Sequence, residues 1–188
     1  MFINLNLEND TINLQEKLDH VTRVEKLIRE VNSMTYEDIA QVMKEFDIEI
    51  DDTDSRNYSM LLSAIVSYND GLVEYLILNG ANILKETLIQ GYVVTPLHAA
   101  VLSCNAYAVD FLLSEGAVLE DSSGNSPASL AVKTVNIPAL EFLQERGYDF
   151  SELKIRDDVF TNKLFTPQVY ARRNSYKEVE EFFSNLSQ

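Results

Sequence analysis

The sequence predicts an all-α solenoid of stacked helix–turn–helix units with hairpin loops and a helical cap at its N-terminus. Three observations carry this prediction. Four six-residue segments that open with Ser or Thr and end in Ala, starting at Ser59, Thr95, Ser126 and Thr166, are each followed by a second apolar run, Val73 to Ile77, Val109 to Leu113, Leu140 to Leu143 and Val179 to Phe183. In the first three copies that alanine stands sixteen residues before a glycine: Ala64 and Gly80, Ala100 and Gly116, Ala131 and Gly147. Between these markers the apolar residues recur at helical spacing, and a fixed internal period is the mark of a repeat architecture.

In chain order, the first element is an amphipathic helix. Leu14, Leu18, Val21, Val24, Leu27, Ile28 and Val31 fall on one stripe, at the spacing that gathers residues on one helix face. A second helix is read over Thr35 to Phe46, with Ile39, Val42, Met43 and Phe46 apolar, and Thr35 followed by Asp38 resembles a capping box. Residues 1–50 hold no match to the Thr95-Pro96-Leu97-His98 segment. They are read as a helical cap or a degenerate repeat, because the apolar stripe needs cover and the array lies beside it. A dimerisation helix is the alternative. An acidic run follows: Asp47, Glu49, Asp51, Asp52 and Asp54. It lacks the glycine of a calcium loop. Two readings stay open for it, a solvated start to a hairpin or a docking edge for a basic partner.

The repeat array is expected over residues 51–188, in units of about 51–82, 83–118, 119–150 and 151–188. The first helix of each unit opens on Ser or Thr, which caps a helix N-terminus, and three of them place Pro next, where a helix tolerates it. The second helices show Leu72, Val73, Leu76 and Ile77, then Val109, Leu112 and Leu113. Gly80 and Gly116 stand where a left-handed C-cap is wanted. A single helix pair has more apolar surface than it can bury, so neighbouring pairs must stack.

These residues resemble the ankyrin repeat, whose signature Thr-Pro-Leu-His-x-Ala stands here as Thr95 to Ala100, with Val109 to Leu113 and Gly116-Ala117 following. The resemblance runs from Asp51 to the C-terminus. It implies a glycine between the paired helices, where this chain has Tyr68, Cys104, Val135 and Ser175. The next residue is Asn69, Asn105 or Asn136 in three units, and asparagine is expected to make the left-handed turn. About three residues are added between the first and second units and about seven between the third and fourth. The last unit lacks a closing Gly-Ala and ends in polar Ser184 to Gln188, which suits a capping repeat.

Composition narrows the function classes. A net charge of -15 argues against binding nucleic acid through its phosphates, and against an anionic membrane. There is no apolar run long enough to cross a bilayer, and Met1 to Asp10 carries no secretory leader pattern. Cys104 is the only cysteine, so no intrachain disulfide forms, and a cytoplasmic location is expected. The resemblance gives His98 a structural hydrogen-bonding role. Cys104 has no base nearby in sequence to activate it. Six glycines are scattered without a phosphate-cradling loop. No catalytic residue, metal or cofactor is therefore expected. The one polar-rich insertion, Ser151 to Lys163 with Glu152, Lys154, Arg156, Asp157 and Asp158, is where a loop-built enzyme site would have to lie.

Proteins of this type bind partners through hairpin tips and the inner faces of the first helices. Carried onto this chain, the resemblance implies Arg56, Tyr58, Val66, Tyr92, Val94, Leu102, Asn125 and Phe165 as partner-binding residues, with Asn162 among the tips. Bulky apolar side chains at such positions read as an interface. For Tyr92 and Val94 the inserted loop offers a second outcome, folding back and burying them. The expected function is a binder, monomeric alone, that inhibits or sequesters another protein. Size and acidity resemble bacterial immunity proteins, with a basic toxin or nuclease domain as the partner. A scaffold or effector tethering host proteins is the alternative, and an enzyme ranks last.

Overall fold

The computed structural model describes residues 5–157 and 163–186, with side chains from Glu16 onward. The side chain of Leu14, and Asp158, Asn162 and Gln188, lie outside the described residues. The chain divides into two compact units, Met1–Asn82 and Ile83–Gln188.

The first unit contains α1 (Leu5–Glu30), a 3₁₀ turn (Val31–Ser33), α2 (Tyr36–Phe46), α3 (Met60–Val66) and α4 (Asp70–Leu78). Val24, Leu27, Ile28 and Val31 of the predicted stripe are buried, whereas Leu18 is 59% exposed. The stripe is thus covered over its C-terminal half. There α1 meets α3: the Ser63 hydroxyl donates to the Ile28 carbonyl at 3.4 Å, and Asn32 Nδ2 donates to Ser63 Oγ at 3.1 Å. α2 meets α4 through Tyr36 and Tyr75, whose rings stack 4.5 Å apart. Thr35 caps α2 as expected, accepting the Asp38 N–H at 3.2 Å, while its hydroxyl donates to the Asp38 carboxylate at 2.8 Å.

The second unit contains β1 (Thr87–Ile89), β2 (Tyr92–Val94), α5 (Pro96–Leu102), α6 (Ala106–Ser114), α7 (Pro127–Lys133), α8 (Ile137–Glu145), β3 (Ile155–Arg156), β4 (Leu164–Phe165), α9 (Pro167–Asn174) and α10 (Lys177–Asn185). Helices α5 and α7 pack side by side, and each also packs on its own second helix. The insertion before α5 is the β1–β2 hairpin, in register Thr87↔Val94, Leu88↔Val93 and Ile89↔Tyr92. Gln90 and Gly91 turn it, both at positive φ (51° and 86°), as a two-residue hairpin turn that follows strand twist requires. A shorter antiparallel pair, β3–β4, precedes α9. The fold is an all-α repeat solenoid with these short hairpins added.

The repeated pattern does two jobs in each helix pair. Ser59, Thr95, Ser126 and Thr166 cap α3, α5, α7 and α9, each side-chain oxygen accepting the amide three residues on. The alanines Ala64, Ala100, Ala131 and Ala171 are fully buried, since a larger side chain there would hold the packed helices apart. The turn between the paired helices corrects one expectation. The left-handed residue is Tyr68, Cys104, Val135 or Ser175 itself, at φ 56°, 58°, 55° and 63°. Asn69, Asn105 and Asn136 have negative φ and instead cap the second helices, accepting from Leu72, Ala108 and Ala139. Each asparagine thus supplies the acceptor that a helix N-terminus lacks.

Candidate protein interface

In the first unit, the loop that links α2 to α3 gathers most of the expected docking residues. Asp54 is 4% exposed. Its Oδ1 accepts the backbone N–H of Arg56 at 2.9 Å and of Tyr58 at 2.8 Å, and its Oδ2 accepts Arg56 Nε at 3.0 Å and Nη2 at 2.7 Å. The guanidinium so held lies 5.5 Å from the Tyr58 ring centroid. Arg56 is exposed and Tyr58 half-buried, so a buried carboxylate fixes a surface cation and ring. Val66 ends α3 and is 41% exposed.

The acidic run does not form a docking edge as a whole. Asp54 is consumed by its own turn. Asp51 accepts the Asn82 N–H at 3.0 Å. Asp52 accepts the Glu49 N–H at 2.8 Å and faces His20 Nε2 at 3.0 Å. Tight turns leave amides without ladder partners, and short carboxylates are suited to accept from them. Asp47, in the left-handed C-cap of α2 (φ 53°), and Glu49 remain exposed.

In the second unit, Tyr92 and Phe165 are half-buried and Leu102 is partly exposed at the end of α5. The Arg173 guanidinium lies 4.7 Å from the Phe165 ring centroid. Val94 is only 7% exposed. Hairpin formation opposite Thr87 turns it inward, so it belongs to the core and not to a surface. Asn125 is likewise committed. Its N–H and Nδ2 donate to Asp121, at 2.8 Å and 3.1 Å to the nearer oxygens, and its Oδ1 accepts from Lys133 Nζ at 2.7 Å.

The Asn125 carbonyl accepts from His98 Nε2 at 3.1 Å. A carbonyl can only accept, so His98 carries its proton on Nε2, and Nδ1 accepts the Thr95 hydroxyl proton at 2.7 Å. Thr95 Oγ1 in turn accepts the His98 N–H at 3.3 Å. His98 is fully buried. Burial pushes its pKa below the ordinary value, against smaller opposing effects of the Asn125 carbonyl, Asp121 and Glu86. This network ties the α5 pattern to the turn before α7. One signal for it was legible in the chain: Asp54 and Asp121 each stand five residues ahead of the serine that opens the next helix.

The polar insertion borders a cleft of about 680 Å³ whose lining includes Phe142, Tyr148, Glu152, Lys154, Arg156 and Leu164. Asp149, at its edge, is held below the ordinary carboxylate range by hydrogen bonds from the Ser151 backbone and hydroxyl. Cys104 is held above the ordinary thiol range, first by burial and then by Glu141 and Glu145. Among the described residues no group of His, Cys, Asp and Glu is arranged to hold a metal ion, and no helix is long and apolar enough to cross a membrane.

A family model described as ankyrin repeats, in three copies, matches residues 61–154. No curated protein matches the sequence.

Proposed function

The chain belongs to the ankyrin-repeat family, and on that premise we propose that it binds one partner protein and inhibits or sequesters it without catalysis. Ankyrin repeats make it a protein–protein interaction module. The observation that carries the reading is α3. Met60, Leu61, Leu62, Ala64 and Ile65 are buried, while Val66, in the same helix, is 41% exposed. Beside it in sequence, Tyr58 is locked by Arg56 and Asp54 before any partner arrives. An anchor already ordered loses little entropy on binding. Tyr92, Leu102 and Phe165 are the corresponding candidates in the second unit.

The array comprises four repeats and α1–α2 cap it. Asn69 Nδ2 lies 3.3 Å from Asn32 Oδ1 and 3.5 Å from the Asn32 carbonyl, much as Asn136 Nδ2 lies 2.9 Å from the Leu102 carbonyl. The end of α1 therefore stands toward α4 as the first helix of one repeat stands toward the next. Acidity favours a basic partner, and an immunity protein that covers the basic active site of a toxin, in the cytoplasm, fits it. A scaffold or effector tethering host proteins uses the same side chains. The 680 Å³ cleft favours an enzyme as a second reading. It ranks below the first because ankyrin repeats are an interaction module.

Pull-down from the native cell with mass spectrometry tests the proposal, followed by Tyr58→Ala and Leu102→Ala. Each substitution is expected to weaken partner binding by about 2 kcal/mol, the cost of losing an interface anchor, without unfolding the array. Binding that survives both removes these surfaces from consideration.

A further inference from the structure

Helices α8 and α10 border a second cleft, of about 560 Å³, on a part of the second unit that the hairpins and first-helix ends do not reach. Ile137, Pro138 and Phe182 supply apolar surface, and Glu141, Glu178 and Glu181 stand around it. All three glutamates are exposed, and none makes a hydrogen bond or ion pair among the described residues. Glu180, by contrast, is taken up by Arg172 at 2.8 Å. Among the described residues no lysine, arginine or histidine lines the cleft. The carboxylate field reaches beyond it, since Glu141 also acts on the Cys104 thiol.

This pairing of features selects its occupant. An apolar floor beside a rim of three glutamates and Asn185 matches a long cationic side chain, which lays its methylene stem on apolar surface and keeps its charged head in a polar rim. A bare metal ion would not use Ile137, Pro138 or Phe182, and a polyanion is repelled by the rim and by the net charge of -15. We propose that the α8–α10 cleft docks a lysine- or arginine-bearing segment of a protein partner, with Glu141, Glu178 and Glu181 around the cation. The inference rests on the reading of the chain as a protein-binding module, but it uses second helices, not the Tyr58 and Leu102 surfaces.

The test is fluorescence anisotropy at low salt with a short labelled peptide of alternating lysine and glycine. Wild type is compared with the triple variant Glu141→Gln, Glu178→Gln, Glu181→Gln. A control triple, Glu16→Gln, Glu45→Gln, Glu115→Gln, removes the same charge from exposed positions elsewhere. The cleft triple is expected to lose about tenfold in affinity and the control less than about threefold, because surface charge acts weakly unless it is near the ligand. Circular dichroism checks that both triples fold, which glutamine in place of exposed helical glutamate permits. Equal losses in the two triples, or no binding to wild type, overturns the proposal. Leu102→Ala is expected to bind the peptide like wild type, so failure of the cleft and failure of the Tyr58 and Leu102 surfaces are read separately.

Discussion

Asn136 joins two repeats with one side chain. Its Nδ2 donates to the Leu102 carbonyl at the end of α5, 2.9 Å away, while its Oδ1 accepts the Ala139 N–H at 3.1 Å and caps α8. The two functions separate by substitution. Aspartate keeps the acceptor and loses the donor, whereas alanine loses both. Asn136→Asp is expected to cost about 1 kcal/mol for the lost bridge, and Asn136→Ala about 2 kcal/mol for bridge and cap together. Urea denaturation midpoints, read at unchanged slope, check the order. Equal costs would mean that the bridge contributes nothing.

Val135 sits at φ 55° in the turn just before that cap. A β-branched residue is poorly suited to the left-handed region, which costs a non-glycine residue roughly 1–2 kcal/mol. Glycine removes the strain and returns part of the gain through its greater freedom when unfolded. Val135→Gly is expected to stabilise the protein by about 0.5–1 kcal/mol, and Val135→Ala to give no such gain. Thermal unfolding of the two variants beside wild type decides it.

The helix pairs were legible in the sequence because caps, buried alanines and closing glycines are local features with a fixed spacing. The turn was misread for a physical reason. Asn69, Asn105 and Asn136 suit a left-handed turn and a helix N-cap equally well, and only the backbone shows that the residue before each takes the strain. The candidate interface was less legible. Exposure at Val66 and burial at Val94 depend on what a neighbouring strand or helix covers, which residue type alone does not reveal. Asn125 and Asp54 looked like surface polar residues, and their amide and carboxylate partners lie in the same turns.

Buried neutral His98 makes stability depend on pH. Its folded pKa lies below the 6.5 of a free imidazole because burial penalises the cation. Above pH 6.5 neither state binds the proton, and the contribution is complete. Below it, the unfolded chain takes a proton that the folded one refuses, so stability falls as pH drops from 6.5 toward the folded pKa. The steepest possible slope is about 1.4 kcal/mol per pH unit. Melting temperatures followed from pH 7.5 to 5.5 should decline in wild type and be flatter in His98→Gln. An NMR titration in which the His98 ring protonates at or above its free value in the folded protein would refute the argument.

Cys104 offers a reading of the field along α8. Burial raises its thiol pKa first, and Glu141 and Glu145 raise it further by opposing the thiolate. Since the thiolate is the reactive form, alkylation by iodoacetamide at neutral pH should be slower than for a free cysteine. Neutralising the two carboxylates in Glu141→Gln, Glu145→Gln removes the electrostatic part and leaves the burial. The rate is then expected to rise about two- to fivefold while staying below that of the unfolded chain, because exposed charges at this distance act through screened solvent. The pH dependence of the alkylation rate should shift downward by the same amount. An unchanged profile would mean that burial alone sets the thiol, and that the carboxylates of α8 do not act on it.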